Sequence, residues 1–139
     1  MQQISNDVVR ASVRLIQSKK GRDITILDLR GITDVADYFI LCSADSDIQV
    51  KAISDTLVEG IKVQGYRPWH IEGYESLKWV LVDFVDIVVH IFQQESREFY
   101  GLERLWGDAP TIVMEEDEDM ESDFPTTLEG AQVLPITVR

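Results

Sequence analysis

Residues 79–84 (Trp-Val-Leu-Val-Asp-Phe) and 87–92 (Ile-Val-Val-His-Ile-Phe) are two apolar, β-branched runs with only two residues between them. A parallel crossover needs a dozen or more residues, so this gap predicts an antiparallel hairpin to which the rest of the chain must pair or pack. Residues 24–29 (Ile-Thr-Ile-Leu-Asp-Leu) and 38–42 read as two more strands by length and composition. The turn chemistry of Arg30-Gly-Ile-Thr-Asp34 keeps them separate. Residues 66–71 are a weaker strand, because Pro68 lacks a ladder donor and belongs on an edge or at a bulge.

Three segments carry a helical period. Over residues 6–20, Val9, Val13 and Ile16 share one face, and Gly21 ends the run. Ser46 followed by Gln49 has the form of a capping box, and the stripe Val50, Ile53, Leu57 and Ile61 predicts a second helix that Gly65 stops. Residues 95–106 predict a short amphipathic helix with Phe99, Leu102 and Trp106 on one face, against which Gly101 counts about 1 kcal/mol relative to alanine. The order αββαβββα predicts an α/β sandwich: a mixed sheet of about five strands with flanking helices.

At 139 residues the chain is expected to form one domain, placed at residues 1–109. Residues 110–139 hold eight of the 25 acids with Arg139 as their single base, and 111–123 lack apolar periodicity, which predicts an acidic, solvated tail. The net charge of −12, with no basic cluster beyond Lys19, Lys20 and Arg22, sets the chain against phosphate backbones. A basic protein surface is the easier partner. No stretch approaches the roughly 20 apolar residues of a membrane span, and Asp7, Arg10 and Arg14 interrupt the N-terminal segment. One cysteine and two histidines make neither an internal disulfide nor a usual zinc site, so a reducing cytoplasm and no structural metal are expected; no cofactor is expected either.

No catalytic constellation stands out. Cys42 sits inside an apolar strand without an adjacent base, which predicts a buried, inert thiol. Strand alternation puts His90 on the face of Val88 and Phe92, as a packed, hydrogen-bonded histidine, while His70 follows Trp69 near the Pro68 edge. Asp83 and Asp86 flank the hairpin turn at a spacing of three, which alternation does not place on one face, so turn chemistry is favoured over a Mg²⁺ site shared with Asp28. The aromatic residues Trp79, Phe92, Phe99, Tyr100 and Trp106 gather late in the domain. Large aromatics are over-represented at interface hot spots. Phe92 and Phe99 are expected in the core, and Trp79 and Tyr100 are open between core and exposed anchor.

Several fragments in this order resemble the Iojap, or ribosomal silencing factor, family: Asp23-Ile-Thr-Ile-Leu-Asp-Leu-Arg30, Ala36-Asp-Tyr-Phe-Ile40, Trp79-Val-Leu-Val-Asp-Phe84, His90-Ile-Phe92 and Arg97-Glu-Phe-Tyr-Gly-Leu-Glu-Arg-Leu-Trp106. The resemblance runs from about residue 6 to 108. It implies a nucleotidyltransferase-like α/β fold that is catalytically inactive. It also implies binding to the large ribosomal subunit through ribosomal protein L14, with little direct rRNA contact, so that the small subunit is sterically kept from joining and translation falls under nutrient limitation. By the same resemblance, Trp79, Tyr100, Leu102, Glu103 and Trp106 are carried over as the contact surface, with Asp83 and His90 behind them. Trp79 and Tyr100 would be anchors, Leu102 apolar area, and Glu103 a partner for a Lys or Arg, while Trp106 either joins the contact or locks the helix to the sheet. A homodimer is implied by analogy alone. Val85 stands where the family pattern usually has glycine, which puts a tight positive-φ turn in question. Two other readings are a large-subunit biogenesis adaptor and a metal-dependent nucleotidyl- or phosphoryl-transfer enzyme using Asp28, Asp83 and Asp86.

Overall fold

The computed structural model describes residues 2–114, with side chains from residue 7 onward. The elements run α1 (Gln2–Ser18), β1 (Arg22–Asp28), β2 (Tyr38–Ala44), α2 (Asp47–Val63), β3 (His70–Glu72), β4 (Trp79–Asp83), β5 (Ile87–Gln93), α3 (Gln94–Tyr100), α4 (Leu102–Leu105) and β6 (Thr111–Val113). The strands form one mixed sheet in the order β3-β4-β5-β2-β1-β6. Among the described residues only β2 and β5 are parallel; the other four pairings are antiparallel, including the expected β4–β5 hairpin. The central pair is buried on both faces, which is why β2 reads as continuous apolar sequence instead of alternating.

Two helices cover one face. Val9, Val13 and Ile16 of α1 and Val50, Ile53, Leu57 and Ile61 of α2 are fully buried against Ile26, Ile40, Val80, Val82, Val89 and Ile91 of the sheet. The Ser46 hydroxyl accepts from the Gln49 amide at 3.1 Å, as a capping residue should, whereas Gln49 Oε1 accepts from the Asp45 amide, one residue ahead of the cap. The Gln49 side-chain amide donates to the Lys19 and Lys20 carbonyls and so ties the start of α2 to the end of α1.

The structure adds detail to the expected fold and departs from it in the last helix and the hairpin turn. Among the described residues the sheet has six strands, because Thr111–Val113 pairs with β1 and the Met114 amide donates to the Ile24 carbonyl at 2.9 Å. Residues 111–114 thus join the sheet edge, through a strand too short to stand out beside the acidic run. The remainder of that run, 115–139, lies outside the described residues. The predicted helix over 95–106 is two short helices, split where Gly101 adopts the left-handed conformation (φ 58°, ψ 44°) and caps α3 with its amide on the Arg97 carbonyl. Phe99, expected in the core, is consequently turned outward and 78% exposed. The hairpin turn does use positive φ, at Val85 (φ 80°), whose neighbours close a three-residue turn through Asp86 N–H and the Phe84 carbonyl.

Candidate functional site

The second face of the sheet is covered by far less. Leu27, Leu29, Phe39, Leu41, Val88 and Phe92 are buried there, with Trp79, Leu81, Leu102 and Trp106 packed on them half-buried. Trp79 and Leu81 belong to this face because they alternate along β4 with Val80 and Val82. The loop into β4 fixes where Trp79 begins: Gly73 (φ 83°) lies so close to the Trp79 carbonyl that a Cβ there would sit 1.9 Å from the oxygen.

On this face the rings form an unbroken series. Trp106 meets Phe39 edge-on at 5.9 Å between centroids, Phe39 meets His90 at 4.5 Å, and His90 lies 5.9 Å from Trp79. Trp79 stacks on Phe92 at 4.9 Å and packs on Tyr100 at 4.7 Å, and Tyr100 takes Phe99 edge-on at 5.0 Å. Burial falls along the series from His90 in the interior to Tyr100 at 52% and Phe99 at 78% exposed. Leu105, on the last turn of α4, is also exposed. Of the carried-over residues, Trp79, Tyr100, Leu102 and Trp106 thus lie together on one face with His90 buried beneath them, and Phe99 extends the series outward.

His90 holds the Trp79 ring. Trp79 Nε1–H donates to His90 Nδ1 at 3.1 Å, which fixes the imidazole proton on Nε2, an atom buried without a hydrogen-bond partner. Burial pushes the His90 pKa down to about 3, so the ring is neutral and keeps Nδ1 as an acceptor. The packed, hydrogen-bonded histidine is what the sequence reading expects.

Glu103 points inward. Arg97, buried beneath it, donates from Nε to Glu103 Oε1 at 3.1 Å and from Nη2 to Oε2 at 2.8 Å. The same guanidinium donates to the Asp23 carbonyl, the Ser43 hydroxyl and the Thr25 hydroxyl, so one side chain binds α3 and α4 to β1 and β2. Both carboxylate oxygens expected to face a partner's cation are thus engaged within the chain. Arg97 was missed as a structural residue because its pairing with Glu103 depends on the chain reversal at Gly101.

The other acids serve turns. Asp83 Oδ1 accepts from the Val85 amide at 2.7 Å, and Asp28 makes a two-pronged pair with Arg30. The Asp86 carbonyl accepts from the Asp37 and Tyr38 amides, and burial, with Asp86 close by, raises the Asp37 pKa. In the strand order β1 and β4 are three spacings apart, roughly 14 Å, so Asp28 and Asp83 do not converge on one ion. Among the described residues no group of three or more His, Cys, Asp or Glu side chains is arranged to hold a metal. Cys42 is fully buried and its thiol is pushed up to about 12 by desolvation. His70 is exposed and pairs with Glu72 at the sheet edge. No helix among the described residues is long and apolar enough to cross a membrane.

A sequence profile described as "Ribosomal silencing factor during starvation" matches residues 2–132. The chain belongs to this family. The match extends past residue 108, where the motif resemblance ends, into the acidic segment. A protein of Halalkalibacterium halodurans named ribosomal silencing factor is 39% identical over 111 residues, covering 80% of this chain and 95% of that one. A Mus musculus protein named for mitochondrial assembly of the ribosomal large subunit is 34% identical over 97 residues, covering 68% of this chain and 42% of its own length. A crystal structure of a Chromobacterium violaceum protein, 35% identical, superposes with a TM-score of 0.71 over 73% of this chain and 84% of that one. The mixed α/β fold is therefore one that a solved relative shares.

Proposed function

We propose that this protein is a ribosomal silencing factor that binds the large subunit through ribosomal protein L14 and, by its bulk, keeps the small subunit from joining. It lowers translation under nutrient limitation and acts in the cytoplasm by occupancy, without catalysis or cofactor. Membership in the family supports the general role. The observation that carries the contact surface is the series of rings that runs without a gap from the sheet interior to Tyr100 and Phe99 on the least covered face. Rigid aromatics anchored below and exposed above suit an interface hot spot, since little side-chain entropy is left to lose on binding. Trp79, Tyr100, Leu102 and Trp106 supply the contact; Glu103 and His90 hold those residues in place, and Asp83 shapes the hairpin end of the same face. The net charge of −12 suits a basic ribosomal protein and limits rRNA contact.

Sedimentation with separated subunits tests the reading. The full chain is expected to pellet with large subunits and not with small ones; pelleting with neither, or only with small ones, overturns it. The sedimentation coefficient of the free protein tests the homodimer that the family resemblance implies. A second reading, an adaptor for large-subunit assembly, is favoured by the name of the mouse relative. It predicts that loss of the gene accumulates subunit precursors while the purified protein leaves the joining of mature subunits unchanged.

A further inference from the structure

The geometry points to a second docking surface, on the sheet face opposite the rings: the groove between α2 and β3 receives an extended, apolar segment of a partner protein carrying a lysine or arginine, laid along the outer edge of β3. This strand ends the sheet order, and among the described residues no strand pairs with its outer edge. It is only three residues long and is flanked by Trp69, 72% exposed, and Tyr74, 39% exposed. Beside it lies a groove of about 360 Å³ floored by Val58, Ile71 and Val82, with Asp55, Glu59 and Tyr74 on its walls. Ile71 and Val82 are register partners and point to the α2 side, so a strand added about 4.8 Å beyond β3 places its own alternate side chains over the same hollow.

The charge of the walls selects the occupant. Asp55 is already engaged, by the Tyr74 hydroxyl at 2.6 Å and by Lys51 at 2.9 Å. Glu59, one helical turn further along α2, makes no hydrogen bond or ion pair among the described residues and is exposed at the rim. An apolar floor with one uncommitted carboxylate suits an apolar strand with one cation. A second copy of a chain with net charge −12 is a poor electrostatic match, and this chain's own apolar run at 133–138 follows the acidic stretch 115–123. Because Trp79 and Leu81 face the other way, this groove stays open when the ring surface is occupied, and the inference does not depend on the function proposed for that surface.

Titration of the full-length ¹⁵N-labelled chain with the peptide Ac-Val-Thr-Lys-Thr-Val-NH₂, whose two valines and lysine share one face of a strand, followed by amide shifts, tests it. Saturable shifts are expected at Val58, Glu59, Ile71, Glu72 and Tyr74. Binding should weaken by about tenfold when the peptide's lysine is replaced by glutamate, and the Glu59→Lys variant should reverse that preference. The Asp7→Lys variant, with the same change in net charge on α1, should not. No saturable shift at millimolar peptide, equal response to both peptides, or an identical effect of the two variants would overturn the proposal. So would contacts from Val133–Val138 to Ile71 in the free protein, or concentration-dependent shifts of the groove amides without peptide, which assign the groove to the chain's own segment or to a second copy.

Discussion

Replacing Glu103 by glutamine separates two roles for this carboxylate, an internal brace and a contact for a partner's cation. Its two oxygens take bonds of 2.8 and 3.1 Å from Arg97, and the two side chains are 27% and 7% exposed. Unit charges about 4 Å apart attract by about 4 kcal/mol at an effective dielectric constant near 20. Removing one partner of a buried pair typically costs about 3–5 kcal/mol. Glutamine keeps one acceptor for the guanidinium, worth about 1 kcal/mol, and the part-exposure of Glu103 lets water screen some of the loss. The expected destabilisation is therefore about 2–3 kcal/mol. In urea unfolding of Glu103→Gln the midpoint should fall by about 1–2 M with little change in slope. Large-subunit affinity measured well below the midpoint should change little. An unchanged midpoint with a clear loss of affinity would refute the internal brace and return Glu103 to the contact surface.

The hairpin turn offers a test of backbone strain. Gly normally loses to Ala by about 0.4–1 kcal/mol through unfolded-state entropy, but at the φ of 80° found at Val85 the order should invert, with Val85→Gly more stable than Val85→Ala by about 1 kcal/mol in paired urea melts. If alanine is the more stable, the positive φ is wrong. The pKa of His90, lowered to about 3 by burial, means that the unfolded chain takes up a proton the folded one refuses. His90 should therefore contribute stability fully above about pH 6.5 and lose it progressively as pH falls toward 3. The stability gap between wild type and His90→Asn should shrink by up to roughly 1.4 kcal/mol per pH unit across that window; a gap flat between pH 6 and 4 would contradict it. Cys42, buried with its thiol near 12, should react with a disulfide reagent only as fast as the chain opens, and a fast stoichiometric reaction in native buffer would show the strand pairing around it to be wrong.

The sheet and its larger helices were legible because their signals are periodic and local. The gap between residues 84 and 87 dictated a hairpin, and the 3-4-4 spacing of Val50, Ile53, Leu57 and Ile61 marked the buried face of α2. What escaped depends on single backbone conformations or distant pairings. Gly101 reverses the chain between α3 and α4, moves Phe99 from the expected core to the surface, and makes the Arg97–Glu103 pair possible. Its cost to a continuous helix was the one available sign. Strand β6 has three residues and exists because β1 offers it an edge, which no window over 111–113 records. Of the candidate site, the residues Trp79, Tyr100, Leu102 and Trp106 came from resemblance to a family. Their convergence through Phe39 and His90 came from β4 and β5 lying side by side, with Trp79 opposite Phe92 and Leu81 opposite His90.

Light scattering of subunit joining, with purified subunits and increasing amounts of this protein, most directly tests whether the ring surface blocks association. Wild-type protein should suppress the rise in scattering at saturation, and Tyr100→Ala, which removes a ring that is 52% exposed, should need about 30-fold more protein or greater for the same effect. Full joining at saturating wild-type protein, or equal potency of the variant, would contradict the account.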